Sequence, residues 1–392
     1  MPGTSVTHDV EWSLLLAACS ANPTVRNLFQ EKLDELHTLL RRPIQWNVLL
    51  ALADKHGTLP LLYTSLSGVE EAVPAEEMRR LKQSYQTNLH KALLLSREQI
   101  RIVRSLTERG IEVMPYKGLA LAEVLYGDIA LRQSGDIDLL IRPQDLPRVR
   151  DAVRELGYRP QLDFSEAEEC AYLKSGYECA FDGEAGPNLL ELQWAIQPRF
   201  YSVDFDMDGL FKRAVTIPVA GHPMKTPSPA DLLLVLSVHA AKHVWGRLVW
   251  VCDIAQLMRR PELDWEWIGT QARKLGVMRI VRVTMLLANR LLGVEIPAEA
   301  RNHLGEESRE LALVEEILPS IFTGEGYGTE SLAYFRLMMR LRERRGDRLR
   351  FMQRLVLTPG PGEWKAVRLP RPLFGLYRLV RLSRLAARLV RA

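Results

Sequence analysis

The stretch Ser134-Gly135-Asp136-Ile137-Asp138-Leu139-Leu140-Ile141-Arg142 constrains this chain more than any other. Two carboxylates one residue apart open an apolar run of strand character. Side chains two apart on a strand share a face, so Asp136 and Asp138 converge while Ile137 and Leu139 turn to a packed side. Like charges held that close repel unless a cation lies between them. The aliphatic run behind them supplies a rigid base. An Asp-x-Asp pair at a strand edge after a Ser-Gly turn is one way to hold magnesium against a nucleoside triphosphate. Taken alone, the doublet also fits an ordinary surface turn.

Its surroundings favour the first reading. Ile111–Met114 reads as a short strand, closed by Pro115, Tyr116, Lys117 and Gly118. Leu119 to Tyr126 reads as a helix, and Gly127, Asp128 and Arg132 lead into the acidic pair. This order of strand, Lys-Gly turn, helix, arginine and Asp-x-Asp resembles the DNA polymerase beta-like nucleotidyltransferase superfamily, and most of all its poorly characterised bacterial branch. The likeness spans about residues 111–260 and is specific over Lys117 to Arg142.

That resemblance implies transfer of a nucleoside monophosphate from a triphosphate, ATP first, to an acceptor hydroxyl or phosphate. It implies magnesium or manganese held by Asp136 and Asp138, with a third carboxylate from a neighbouring strand. Glu191 is the candidate, sharing a strand face with Gln193 opposite Leu190, Leu192 and Trp194; a solvated strand residue is its plainer reading. Relatives often carry Leu-His-Trp after the third acid, and Gln193 stands here in the histidine place. Lys117, Gly118, Ser134 and Gly135 are expected around the triphosphate. Many members have Gly-Ser where this chain has Gly118-Leu119, which shifts the load to Lys117, Ser134 and backbone N–H groups. Arg132 is read either on a phosphate oxygen or in a surface salt bridge. By the same likeness a His-rich helix packs over the cleft, so His239, Lys242, His243 and Asp253 are candidates to contact nucleotide or acceptor. His239 and His243 share a helix face, but Ala240 stands where a zinc hydrolase needs glutamate.

The 392 residues are too many for one simple core and predict two or three domains. With 47% hydrophobic and 26% charged residues the chain has a globular composition. No run approaches the roughly 20 apolar residues of a membrane span. Met1 to Asp9 is polar, so no secretory signal is expected. Cys19, Cys170, Cys179 and Cys252 lack any Cys-x-x-Cys spacing, which favours a reducing cytoplasm over a zinc site.

Residues 1–109 read as a helical cap, with Leu81, Tyr85, Leu89, Leu93, Leu94 and Ile100 as a buried stripe of its last helix. Residues 110–223 read as an α/β core, with strands at Ile111–Met114, Ile137–Ile141, Tyr158–Leu162, Tyr177–Phe181, Leu189–Trp194 and Val215–Val219, and a helix from Pro143 to Leu156. Residues 224–357 read as helical again, opened by the Ser228-Pro229-Ala230-Asp231 capping sequence. Together these predict an α+β fold, a small mixed sheet flanked by helical regions. The glycine-rich stretch Thr323–Gly328 lacks a preceding strand, so it reads as a connection rather than a phosphate loop. Arg336 to Arg354 reads as an exposed basic helix.

Residues 358–392 read as a basic amphipathic tail. Arginines 368, 371, 378, 381, 384, 388 and 391 alternate there with apolar residues and no acid. Such a helix can dock on the protein's own body, lie on an anionic membrane, or contact RNA phosphates. A cytoplasmic location is expected, with a membrane-peripheral one open through the tail, and no sequence-specific DNA binding. Acceptors compatible with this reading are a small molecule, a sugar- or lipid-linked intermediate, or a peptide. Two other readings stay open: a toxin–antitoxin-type transferase acting on protein or tRNA, and a nucleotide-binding scaffold without turnover.

Overall fold

The computed structural model describes residues 9–21, 26–162, 164–183, 186–305, 310–323 and 331–391. Helices come first: α1 (Asp9–Ser20), α2 (Arg26–Leu40), α3 (Trp46–Lys55), α4 (Leu59–Ser67) and the long α5 (Ala75–Glu108). The sheet region follows with β1 (Val113–Pro115), α6 (Gly118–Tyr126), β2 (Ile137–Ile141), α7 (Leu146–Glu155), β3 (Arg159–Pro160), α8 (Glu166–Leu173), β4 (Glu178–Gly183) and β5 (Gly186–Gln193). A short α9 (Met207–Lys212) precedes the hairpin of β6 (Val215–Val219) and β7 (His222–Thr226). Then come α10 (Pro229–Lys242), α11 (Leu248–Met258), α12 (Trp265–Leu275), α13 (Met278–Leu292) and α14 (Ala298–Leu304). The chain ends with α15 (Leu311–Thr323), α16 (Leu332–Leu341), α17 (Arg345–Leu357), α18 (Pro361–Ala366) and α19 (Tyr377–Arg391). No helix among the described residues is long and apolar enough to cross a membrane.

Five strands form one mixed sheet in the order β1-β2-β5-β4-β3. β2 runs parallel to β5, and the other neighbours are antiparallel. The fold is α+β, as expected. β2 is buried along its whole length. Ile137, Leu139 and Ile141 enter a core with Leu106, Val149, Val153 and Leu190. Leu140 joins Met114, Tyr116 and Val235 in a separate apolar cluster. A third and larger core merges Trp12, Leu15, Leu36 and Leu62 with Leu236, Trp245, Leu287 and Leu337. The first and last helical regions therefore share one apolar interior.

Several expectations change in detail. The buried stripe of α5 is Leu81, Asn88, Ala92, Leu95, Gln99, Ile102 and Leu106, while Leu93 and Leu94 are exposed. Apolar periodicity missed this register because polar residues occupy part of it. Asn88 donates to the carbonyl of Ala130 at 2.7 Å, and Gln99 to the sulfur of Met224. Pro143 opens a 3₁₀ turn, and α7 starts at Leu146 with Pro147 in its first turn. The strand β7 was not foreseen, because Pro223 interrupts its pattern.

The basic stretch from Arg336 is no exposed helix. It forms two helices that bury Leu337, Met338, Leu341, Phe351 and Leu355. Arg342 between them is buried against the rings of Phe351 and Tyr201, at 3.8 and 4.9 Å. Ser228 does cap α10, its hydroxyl accepting from the N–H of Asp231. The glycine-rich stretch after Thr323 lies outside the described residues.

The described part of α19 docks on the protein's own body. Tyr377 is buried, its ring 4.0 Å from that of Trp364, and its hydroxyl donates to the carbonyl of Val367. Arg381 and Arg384 both lie 3.5 Å from one oxygen of the buried Glu363. Arg368, Arg371 and Arg378 remain exposed. Replacing a buried aromatic by alanine costs about 3–5 kcal/mol. Tyr377→Ala is therefore expected to release α19, seen as rapid proteolysis after residue 366 while the remainder of the chain resists.

Candidate functional site

The acidic cluster follows from strand register. Parallel pairing sets Asp138 of β2 opposite Glu191 of β5, and antiparallel pairing sets Glu178 of β4 opposite Gln193. Gln193 joins them. Its amide nitrogen lies 2.9 Å from Glu191 Oε2, 3.2 Å from Asp138 Oδ1 and 3.3 Å from Glu178 Oε2. Its carbonyl oxygen accepts from the hydroxyl of the buried Tyr116.

The N-terminus of α6 closes on this cluster. Gly118 has a φ of +53°, and a Cβ there would lie 3.4 Å from the carbonyl of Asp136 and from Ser134 Oγ. Only glycine suits that backbone at that distance. Lys117, one residue earlier, places its ammonium 2.9 Å from Asp138 Oδ1. Ser134 Oγ is buried with no hydrogen-bond partner among the described residues.

The cluster is electrostatically loaded. Burial and then the charge of Asp138 push Asp136 up to about 6 and Glu191 up to about 7. Burial also raises Glu178. Burial alone would lower Lys117, but the charges and hydrogen bonds of Asp138 and Tyr116 together outweigh it and hold the ammonium protonated. Lys242 is lowered to about 8, by burial first and then by Lys117. Burial and the two lysines push His239 well below its ordinary value and His243 down to about 3, so both rings are neutral near pH 7.

A cavity of about 770 Å³ opens over these groups. Lys117, Gly118, Arg132, Ser134, Gly135, Asp136, Asp138 and Glu191 line it from the sheet side, and His239, Lys242 and His243 from α10. The two histidines and Trp250 pack against one another, ring centres 5.0 to 5.3 Å apart, with His239 edge-on to Trp250. The turn after α10 holds Val244 and Trp245 at φ of 51° and 49°. Such positions cost on the order of 1–3 kcal/mol each, and here a fully buried Trp245, bonded through Nε1 to Thr284 Oγ1 at 3.0 Å, holds the turn.

Asp253 departs from expectation, for it does not line the cavity. It is fully buried, and Arg132 Nε lies 3.1 Å from both its oxygens. The hydroxyl of Tyr126 donates to it at 3.0 Å. Its neighbours occupy the carboxylate, so Asp253 acts behind the wall by holding Arg132. Arg132 is thus in a buried pair, not a surface one.

Sequence reasoning missed several lining residues. Glu178 was within reach, since it lies on an expected strand with its side chain on the acidic face. Tyr177 and Trp250 carried no distinguishing signal. Neither did Asp54, Lys55 and Lys91 from the N-terminal helices, whose approach to the site depends on tertiary packing.

Among the described residues, no three histidine, cysteine or carboxylate side chains form a ready metal cage. The ammonium of Lys117 and the amide of Gln193 contact oxygens of Asp138 and Glu191. The donors still fit a hard divalent ion, being carboxylate oxygens that raise one another's pKa. A sequence model of a family described as uncharacterised nucleotidyltransferase matches residues 42–293. No curated protein and no solved structure matches the chain.

Two outcomes follow from the electrostatics. Breaking a buried ion pair costs about 3–5 kcal/mol, so Asp253→Ala should lower the denaturation midpoint accordingly. A carboxyl whose folded pKa is raised stabilises the fold below its unfolded value, and loses that contribution as pH climbs through the folded value. For Asp136 that window runs from 3.8 to about 6, and for Glu191 from 4.5 to about 7. Without added divalent ion, Asp136→Asn and Glu191→Gln should each raise Tm at pH values above that window. Calorimetry should find the gap closed at pH values below it.

Proposed function

The chain belongs to an uncharacterised nucleotidyltransferase family, and from that premise we propose that it moves a nucleoside monophosphate from a triphosphate, ATP first, to a small-molecule acceptor. It is a transferase of phosphorus-containing groups. One observation carries the detailed reading. Two carboxylates on paired strands, with a third just before β2, face an ammonium group and an unpartnered buried hydroxyl across one cavity.

Asp136, Asp138 and Glu191 are the residues that would hold a magnesium or manganese ion. When bound, that ion supplies charge neutralisation for the triphosphate and for the oxygens of an in-line displacement. Lys117 and Ser134 Oγ bind non-bridging phosphate oxygens, with Gly118 and Gly135 allowing close backbone approach. Arg132, fixed by Asp253, presents a preorganised positive charge to the same cavity. Lys242, half-buried and close to the cleft, adds a second movable cation.

In the transfer step an acceptor oxygen forms a bond to the α-phosphorus. The bond from that phosphorus to the bridging oxygen breaks, and pyrophosphate leaves with its new charge toward Lys117. The acceptor's proton passes to Glu191, a carboxylate of the same cluster. The neutral His239 and His243 serve as ring surfaces and hydrogen-bond partners, not as phosphate-binding cations.

Incubating the protein with α-labelled triphosphates, divalent ion and candidate acceptors, and following pyrophosphate release, tests this. Asp136→Asn and Asp138→Asn are expected to abolish release while leaving the circular dichroism spectrum unchanged. Wild-type rates in either variant would end the reading. Glu191→Gln should lose roughly 100-fold or more in kcat.

A further inference from the structure

A second cavity, of about 320 Å³, adjoins the acidic cleft and shares Tyr177, Glu178, Lys242 and His243 with it. Its volume falls within the roughly 300–1,000 Å³ of small-molecule pockets. Its chemistry differs from that of the cleft. Phe200, Phe335, Leu355 and Leu385 give it an apolar wall, drawn from four separate parts of the chain. Arg381 and Arg384 of the docked tail line it as well.

Those two guanidinium groups face one carboxylate. Both lie 3.5 Å from Glu363 Oε1, while Glu363 Oε2 is taken by the N–H of Gly360 at 2.7 Å. One negative charge against two positive ones leaves an excess of one. The Arg384 side chain keeps 33% of its surface exposed, so it can still receive a ligand. The cavity is therefore apolar along its wall, cationic in the tail and separated from the acidic cleft only by the side chains the two share, Lys242 among them.

We propose that this cavity is the acceptor subsite, and that the acceptor is a small amphipathic anion. It would be an apolar ring or short chain bearing a phosphate or carboxylate. Its anionic end lies against Arg384, its apolar body against Phe200 and Phe335, and its nucleophilic oxygen passes Tyr177 and Lys242 to the α-phosphorus. This rests on the transferase reading above, whose bonds made and broken it leaves unchanged. The uncompensated positive charge favours an anion here over a neutral nucleobase. A further cavity lies on the opposite flank, beside Ser134 and Gln133. Arg80, Gln83, Ser84 and Asn88 of α5 line it.

The test titrates the full chain with 1-naphthyl phosphate and, as the uncharged control, 1-naphthol. Binding is followed by calorimetry, with and without a saturating non-hydrolysable triphosphate analogue and divalent ion. Wild type should bind the phosphate about tenfold more tightly than the naphthol, with the analogue already bound. Arg384→Gln should remove that preference and leave naphthol affinity unchanged. Phe335→Ala, on a helix outside the tail, should weaken both compounds by about tenfold. These two responses together exclude simple undocking of α19, which would affect both probes through Arg384→Gln.

Competition by the analogue would overturn the proposal, since the cavity would then hold nucleotide. So would the absence of naphthyl phosphate binding up to millimolar concentrations while the triphosphate analogue still binds. Binding of naphthyl phosphate as expected, with no triphosphate bound under any divalent ion, would overturn the transferase reading and the acceptor role with it.

Discussion

The parallel pairing of β2 with β5 sets Asp138 beside Glu191, and the surrounding architecture answers the repulsion this creates. Asp136 and Glu178 add to it from the loop before β2 and from β4. An ammonium from Lys117 and an amide from Gln193 offset part of the charge, at 2.9 to 3.2 Å from Asp138. Burial makes every one of these contacts matter more, because a lower effective dielectric strengthens attraction and repulsion alike. A cluster held this way keeps part of its repulsion unrelieved. The rigid, fully buried β2 is what keeps the charges from separating.

The helices on either side make that arrangement possible. Backbone bonds join the end of α3 to the start of α11: Leu248 N–H donates to His56 Nδ1 at 3.1 Å, and Val249 N–H to the His56 carbonyl at 3.2 Å. The N-terminal helices thus help fix the same wall that carries Arg247 and Trp250. Arg132 is reached from the other direction, through Asp253 and Tyr126. A guanidinium so constrained cannot follow a ligand, but it spends no rotamer entropy when one arrives. Lys242 is held differently, a half-buried side chain over the Tyr177 ring at 5.3 Å.

Local chemistry was largely legible in the sequence. The strand Ile137–Ile141 and the helix after Gly118 stand where the pattern put them, because β-branched and aliphatic runs bounded by Gly and Ser leave few alternatives. Lys117, Ser134 and Glu191 were identified by spacing and resemblance, and they line one cavity. Features decided by distant contacts were not legible. Leu93 and Leu94 look buried by periodicity yet face solvent, since Asn88 and Gln99 take inward positions with partners some 42 and 125 residues away. Asp253 looked like a ligand contact because its segment is rich in polar groups. Its actual partner, Arg132, lies 121 residues away in sequence.

Gln193 stands where relatives with this pattern often carry histidine, and its surroundings give that exchange a meaning. Tyr116 donates to its carbonyl oxygen, so the amide nitrogen must face the three carboxylates. An imidazole in that place would change its proton count across the physiological range. A primary carboxamide does not titrate there. The acidic pocket of this chain therefore has a donor whose strength is indifferent to acidity, and any acid sensitivity must originate in the carboxyls themselves.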